Sequence, residues 1–169
     1  ERDAAHGLVA LHGSTVVPVR ALGLTAGNRT QGHRFEAAVS PVVLADADLD
    51  QAVECAVQGA YFSTGQRCTA SSRLIVEAPI HDAFVARLKL RMKALKVGHA
   101  LGRGIDIGPV ASRAQLEQNL SYVEIGKSEA RLVAGGGRPD GFETGNFVRP
   151  TVFADVAPDA RIFQEEIFG

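Results

Sequence analysis

From residue 41 onwards the sequence alternates short apolar runs with longer segments of helical periodicity, and this alternation limits the folds open to the chain. The apolar run at 42–44 is followed by apolar residues at helical spacing over 49–60. A second apolar run at 74–76 precedes another helical stripe over 80–95. Such runs predict strands covered on both faces, and such stripes predict the helices that cover them. We therefore expect an α/β layered fold with a largely parallel sheet flanked by helices.

Capping and helix-breaking residues predict where the helices begin and end. One of the aspartates within 46–50 should cap the first helix, because a side-chain oxygen there can accept from a free backbone N–H. Pro79 suits the first position of the second helix, and Gly98 is a candidate for its end. Ser112 with Gln115 resembles a capping box at the start of a third helix.

Two glycine-rich runs are expected to form turns. Residues 102–108 have one residue too many for a G-x-G-x-x-G fingerprint, and no helical pattern follows them directly. Residues 135–137 follow a strand pattern at 132–133 and precede a further strand pattern at 148–153. Neither run predicts a phosphate-binding loop.

The composition excludes several classes of protein. The 169 residues carry a net charge of -1 and are 46% hydrophobic, which is typical of a folded chain and not of a basic nucleic-acid binder. No apolar run reaches the roughly 18 residues of a membrane-spanning helix, and no signal-peptide pattern is present. Two cysteines cannot form a disulfide framework, so we expect a cytoplasmic protein. None of the five histidines stands at metal-ligand spacing from another His or Cys, so no metal site is expected.

The two cysteines lie in different contexts. Cys55 lies within the first helical stripe and is expected to be a small, partly buried hydrophobe. Cys68 follows Arg67 between a helix and a strand, and loops on rigid scaffolds often carry chemistry. A neighbouring cation and free backbone N–H groups favour a reactive thiolate. From the residues alone, Cys68 is either a nucleophile or an inert buried thiol.

Four spaced motifs resemble those of one enzyme superfamily. Residues 62–70, FSTGQRCTA, resemble the catalytic-cysteine signature of the aldehyde dehydrogenases. Residues 165–169, EEIFG, resemble the E-x-F-G-P motif of the same superfamily. The intervening segments 106–109, DIGP, and 145–151, GNFVRPT, resemble further landmarks in the same order. Within the superfamily, residues 42–76 look most similar to the α-ketoglutaric semialdehyde dehydrogenase branch.

This resemblance implies oxidation of an aldehyde to a carboxylic acid with NAD or NADP. Cys68 would be the nucleophile and would carry a thioester. Glu166 would contact the nicotinamide ribose and Phe168 the nicotinamide pocket, although an exposed charge before an apolar pair is the alternative interpretation of Glu166. The implied partner is a small-molecule aldehyde, with 2-oxoglutarate semialdehyde as the substrate of the branch, and a homo-oligomer is implied as well. Neither a nucleic acid nor a membrane is expected as a partner.

The N-terminal part of the chain resembles the family less closely. Residues 12–15, HGST, resemble a turn at which backbone N–H groups meet the cofactor pyrophosphate, which implies cofactor-binding roles for Gly13 and Ser14. Counted forward from Gly13, Glu36 matches the general base of the family. The segment 36–41, EAAVSP, lacks the Gly-Gly-Lys that follows this base in the family.

The resemblance divides the chain into two parts. Residues 1–40 would be a remnant of the cofactor-binding domain, and residues 41–169 a partial catalytic domain. We therefore expect a truncated fragment that does not oxidise aldehydes by itself. Two alternatives stay open: a cofactor-free thiol esterase acting through Cys68, with His81 or His99 to activate the thiol, and a non-catalytic truncated partner in an oligomer.

Overall fold

The structure, a computed structural model, describes residues 42–169 and four two-residue strands nearer the N-terminus. These four strands form two antiparallel pairs: β1 (Leu11–His12) with β2 (Thr15–Val16), and β3 (Arg20–Ala21) with β4 (Leu24–Thr25). The other residues of 1–41 lie outside the described part. The predicted division at residue 40 therefore stays a prediction.

The first βαβ unit has the arrangement expected from the sequence. Strand β5 (Val42–Val43) pairs in parallel with β6 (Ile75–Val76), and helix α1 (Leu49–Tyr61) connects them. Asp48 caps α1, because its Oδ1 accepts from the backbone N–H of Gln51 at 3.0 Å. The face of α1 that lies against the core contains four buried residues: Ala52, Val53, Ala56 and Val57.

Helix α2 (His81–Lys93) packs against α1 and buries Phe84, Leu88 and Met92. Pro79 lies in a separate 3₁₀ turn, Ala78–Ile80, rather than at the first position of the helix. The predicted start is thus corrected, since the chain makes this turn before the α-helix begins.

Gly98 does not end α2, contrary to the prediction. The helix ends at Lys93, and Ala94 is its C-cap. Gly98 instead donates its N–H to the carbonyl of Ile107 at 2.9 Å and is buried. A Cβ atom at residue 98 would lie 2.7 Å from Cδ1 of Ile105. A larger residue at position 98 would therefore require the Ile105 side chain to move.

Helix α3 (Arg113–Glu129) has half of the predicted capping box. Oγ of Ser112 accepts from the backbone N–H of Gln115 at 3.1 Å. The Gln115 side chain does not complete the box by reaching back, but donates to Oδ1 of Asn119 at 2.7 Å and to the carbonyl of Ile167 at 3.1 Å. The start of α3 is therefore bonded to the last residues of the chain.

Another strand pair follows α3 and is antiparallel. Strand β7 (Arg131–Ala134) pairs antiparallel with β8 (Val152–Ala154), and the one-turn helix α4 (Arg161–Gln164) follows. Among the described residues, the strands form four separate two-stranded sheets, of which β5–β6 is parallel and the other three are antiparallel. The turn after β7 requires glycine, because Gly135 has a φ of 80° and its Cα faces the backbone of Pro150 and Thr151.

The hydrophobic core lies between α1, α2 and β5. Its largest fully buried side chains are Phe84, which is 1% exposed, and Val57. Cys55 lies on α1 but is exposed, which corrects the expectation of partial burial. Among the described residues, no helix is long and apolar enough to cross a membrane.

Candidate active site

The loop that carries Cys68 begins with a left-handed turn directly after α1. Ser63, Thr64 and Gly65 have φ values of 59°, 55° and 70°. Thr64 is β-branched, and a β-branched residue with a positive φ is an outlier. Such backbone strain often marks functional loops. The backbone N–H of Gln66 donates to the carbonyl of Ser63 at 3.1 Å and closes the turn. After this turn the chain returns to the end of α1, where Ser71 donates its backbone N–H to the carbonyl of Gly59 at 3.0 Å.

Cys68 is exposed and lines a cleft of about 1050 Å³. The neighbouring Arg67 donates from its guanidinium to the carbonyls of Gln58 and Gly59 at 3.1 Å and 3.3 Å. These carbonyls belong to the last turns of α1, so Arg67 satisfies acceptors near the helix C-terminus. Its predicted effect on the Cys68 thiol stays a prediction.

The segment at the end of the chain lines the same cleft. Glu166 and Phe168 are both exposed and both border it, together with Cys68. The Cys68 loop also touches the last residue, since a Cβ atom at Gly65 would lie 3.4 Å from the carbonyl carbon of Gly169. The fold thus brings together three of the predicted site residues that are far apart in the sequence. Their individual chemical roles stay predictions.

Three other predicted site residues, Gly13, Ser14 and Glu36, lie outside the described residues. Their cofactor-binding and general-base roles also stay predictions. Over the described part of the chain, no group of three His, Cys, Asp or Glu side chains is placed to hold a metal ion.

The two histidines considered as activators of Cys68 lie in different places. His81 lines the cleft, and its Nδ1 lies 3.0 Å from Oδ1 of Asp82. His99 does not line it, and its Nδ1 accepts from the backbone N–H of Leu101 at 3.3 Å. Of the two, only His81 shares the cleft with Cys68.

Several polar residues that the sequence analysis did not identify hold the cleft together. Gln66 accepts through Oε1 from the backbone N–H of Ala111 at 3.2 Å and so ties the Cys68 loop to the next loop. Arg73 donates to main-chain carbonyls of the terminal segment, residues 161–169, as do Gln115 and Gln118. These bonds span large separations in the chain, and no local pattern in the sequence indicates them.

Glu165 is the most strongly hydrogen-bonded acid of the terminal segment. Its carboxylate accepts from Arg161, with Nη2 to Oε2 at 3.0 Å, and from the hydroxyl of Tyr122 at 2.7 Å. The bond from Arg161, followed by that from Tyr122, holds the pKa of Glu165 below its ordinary value. The same carboxylate raises the pKa of Tyr122. Glu165 therefore remains ionised at neutral pH, and of the two neighbouring glutamates it is Glu166 that borders the cleft.

With this geometry established, comparison with known proteins decides the family. The model of the Aldehyde dehydrogenase family matches residues 2–169. The chain belongs to the aldehyde dehydrogenase family. This confirms the resemblance that was based on the four motifs.

Curated relatives of this aldehyde dehydrogenase chain are similar over most of its length. A betaine aldehyde dehydrogenase of Rhizobium johnstonii is 44% identical over 164 residues, which are 95% of this chain and 34% of the relative. A hydroxyisobutyraldehyde dehydrogenase of Mycolicibacterium austroafricanum is 48% identical over 129 residues, or 76% of this chain and 26% of the relative. The chain spans about a third or less of these relatives. Their names do not confirm the narrower prediction of an α-ketoglutaric semialdehyde dehydrogenase.

Solved aldehyde dehydrogenase structures confirm the α/β fold. A 1-pyrroline-5-carboxylate dehydrogenase from Thermus with bound NAD superposes with a TM-score of 0.71 at 47% identity, over 76% of this chain and 24% of that chain. The NAD⁺ complex of an aldehyde dehydrogenase from Bacillus cereus has a TM-score of 0.71 at 40% identity, over 76% and 26% of the two chains.

Proposed function

We propose that Cys68 is the nucleophile of an NAD(P)-dependent aldehyde dehydrogenase that converts an aldehyde to a carboxylic acid. The observation that carries this proposal is the shared cleft: an exposed thiol, a carboxylate at Glu166 and an aromatic ring at Phe168 border one space. The relatives support it, because those that match over most of the chain are named as aldehyde dehydrogenases.

The chemistry begins at the sulfur of Cys68. The thiolate attacks the carbonyl carbon of the aldehyde, a C–S bond forms, and the carbonyl oxygen becomes an alkoxide. Backbone N–H groups of the loop are the donors that such an oxyanion requires. Loss of hydride from the same carbon leaves a thioester on Cys68. Glu36 would then accept a proton from water, the resulting hydroxide would displace the sulfur, and the acid would leave.

The residues at the cleft suit the nicotinamide end of the cofactor. The exposed carboxylate of Glu166 can accept from ribose hydroxyls, and the ring of Phe168, which is 37% exposed, can lie against a flat heterocycle. Bound NAD(P)⁺ would supply the acceptor for the hydride. Gly13 and Ser14 would hold the pyrophosphate, and the choice between NAD and NADP stays open.

We expect the 169-residue chain to be inactive as a dehydrogenase by itself. It spans a quarter to a third of its relatives, and a nucleophile without a complete cofactor site has no hydride acceptor. Incubation of the chain with NAD(P)⁺ and a panel of aldehydes, including betaine aldehyde and 2-oxoglutarate semialdehyde, should give no NAD(P)H absorbance. Sustained turnover by the isolated chain would overturn this expectation.

The proposed function itself is tested in a chimaera. Residues 42–169 replace the matching segment of the Bacillus cereus aldehyde dehydrogenase, and NAD(P)H formation is measured with the same aldehyde panel. We expect turnover, and we expect Cys68→Ser to reduce it by roughly 10³-fold or more, as for other nucleophile replacements. Cys55→Ser is the matched control, because Cys55 is also exposed but does not line the cleft. Full activity of the Cys68→Ser chimaera would contradict the proposal.

Cofactor-free ester hydrolysis is the second candidate, and the exposure of Cys68 to a cleft shared with His81 favours it. The isolated chain would then hydrolyse an activated ester without NAD(P)⁺, and both Cys68→Ser and His81→Gln would lose this activity. Equal hydrolysis by the two variants and the parent chain would reject the esterase. Light scattering of the same samples tests the predicted homo-oligomer.

A further inference from the structure

The terminal segment, residues 161–169, is only partly buried at the cleft, where Ile162, Phe163 and Ile167 are half-buried. None of its residues is buried, and its only helix, α4, is a single turn. Because hydrophobic burial is non-directional, this partial burial does not by itself fix the orientation of the segment. Directional bonds therefore determine where Glu166 and Phe168 lie.

Arg73 supplies such bonds from the strand side of the cleft. It lies between the Cys68 loop and β6, and its Nη2 donates to the carbonyl of Glu165 at 3.0 Å. Its Nε donates to the carbonyl of Phe163, and its guanidinium carbon lies 5.8 Å from the centre of the Phe163 ring. The N–H groups of a guanidinium form a rigid, planar fork that can donate to two acceptors at fixed positions. An ammonium group has no such fixed geometry.

Helix α3 supplies the bonds on the other side. Gln115 donates through Nε2 to the carbonyl of Ile167 at 3.1 Å, and Gln118 donates to the same oxygen at 3.0 Å. The carbonyls on either side of Glu166 are thus both held, that of residue 165 by Arg73 and that of residue 167 by Gln115 and Gln118. Glu166 is bracketed by two main-chain anchors from different parts of the fold.

We infer that Arg73 and Gln115 are positioning residues that hold Glu166 and Phe168 in the cleft beside the Cys68 loop. This inference rests on the proposed function, which gives the segment its task. Arg73 belongs to the same stretch of chain as Cys68, so the nucleophile and the cofactor-facing residues are tied directly to one another. Loss of the Arg73 anchor, or of Gln115 and Gln118 together, should let the terminal segment leave the cleft and give reagents wider access to the exposed Cys68 thiol.

The test uses the reactivity of the two thiols in one molecule. The 169-residue chain is treated with a small amount of iodoacetamide at neutral pH, and mass spectrometry of peptides gives the alkylation rate of Cys68 relative to Cys55. We expect Arg73→Met and the double variant Gln115→Leu/Gln118→Leu to raise this ratio by about three- to tenfold, because local opening of the segment widens access to the cleft. Arg73→Lys should also raise it, since one ammonium group cannot replace the fork.

Arg87→Met is the matched control. Arg87 is a half-exposed arginine on α2 that pairs with Asp50 and does not line the cleft, so its loss should leave the ratio unchanged. A general loss of stability would raise the rates of both thiols together. An unchanged ratio in Arg73→Met and in Gln115→Leu/Gln118→Leu, a parallel change at both thiols, or a parental ratio in Arg73→Lys would overturn the inference. If circular dichroism shows that Arg73→Met does not fold, the Gln115→Leu/Gln118→Leu variant decides.

Failure of this inference differs from failure of the proposed function. Alkylation needs no cofactor or aldehyde, so the ratio reports on the anchors whatever Cys68 does. A shifted ratio together with an active Cys68→Ser chimaera would keep the anchors and reject the dehydrogenase. An unshifted ratio with an inactive Cys68→Ser chimaera would do the reverse.

Discussion

The α1–α2 pair and the terminal segment are held in place by different forces. Between α1 and α2, apolar side chains such as Val57 and Phe84 are fully buried, and the ion pair of Arg91 with Glu54 lies at the rim. The terminal segment, residues 161–169, has no buried residue and is held by side-chain bonds to its carbonyls. Apolar packing tolerates little change, whereas single hydrogen bonds are modest in energy and specific in direction.

The α1–α2 core therefore determines the stability of the fold, whereas the polar anchors determine the geometry of the cleft. The α1–α2 core supports the loop that follows α1, and the polar anchors place the residues that face Cys68. Substitutions in the core should therefore unfold the chain, while substitutions at the anchors should change the cleft and leave the fold intact. Substitutions in each region can test whether stability and cleft geometry are in fact separate.

The largest effect on stability is expected for Phe84→Ala. The side chain is 1% exposed, and its removal should leave a cavity that costs about 3–5 kcal/mol of unfolding free energy. Urea unfolding followed by circular dichroism measures the loss. Leu90→Ala is the matched control on the same helix, because Leu90 is 67% exposed and its truncation should cost little. Equal costs for the two variants would show that α2 does not pack as described.

Gly65→Ala should have the next largest effect, at the junction of the two regions. Gly65 has a φ of 70°, and an added Cβ would lie 2.9 Å from the carbonyl oxygen of Ala60. Conformational strain and overpacking together should cost about 2–3 kcal/mol.

Gly104→Ala separates these two causes. Its φ is 72°, but an added Cβ would meet nothing within 4 Å, so strain alone should cost about 1 kcal/mol. Gly65→Ala should also raise the alkylation of Cys68 relative to Cys55, and Gly104→Ala should not. Equal losses of stability in Gly65→Ala and Gly104→Ala would show that overpacking at residue 65 costs nothing.

Removal of the N-caps of α1 and α3 is a third test, with a smaller expected effect on stability. Asp48→Ala and Ser112→Ala each remove one side-chain bond to a backbone N–H, at 3.0 Å and 3.1 Å, and each should cost about 1 kcal/mol in urea unfolding. Ser112→Ala also loosens the first turn of α3, which carries Gln115. We therefore expect only this variant to raise the Cys68 alkylation ratio, and a similar rise in Asp48→Ala would contradict the separation of the two regions.

Local features of the fold could be predicted because their causes lie within a few residues. The apolar stripe of α1 and the caps at Asp48 and Ser112 follow from helical spacing and from the acceptors that free N–H groups need. The motif around Cys68 predicted a thiol in a loop for the same reason, and the structure places it in a cleft.

Features that depend on distant parts of the chain could not be predicted. The contact of Gly98 with Ile105, the antiparallel pairing of β7 with β8 and the exposure of Cys55 depend on which surfaces meet after folding. The anchors at Arg73 and Gln115 are of this kind, because a donor for a main-chain carbonyl has no periodicity in the sequence. A capping-box pattern even gave Gln115 the wrong partner.

The smallest effect is expected from acid, and it should act on the terminal segment first. The pKa of Glu165 is lowered by Arg161 and Tyr122, so its stabilising contribution is present above the unfolded value of about 4.3 and is lost as the pH falls through the lowered pKa. Glu54, whose pKa Arg91 lowers in the same way, lies at the rim of an apolar core that remains when it is protonated. As the pH is lowered, the NMR signals of residues 161–169 should therefore shift below the pH at which an ordinary Glu titrates. The signals of the α1–α2 core should shift only at a still lower pH. Glu165→Gln should abolish this early transition, and simultaneous shifts in both regions would show that they unfold as one unit.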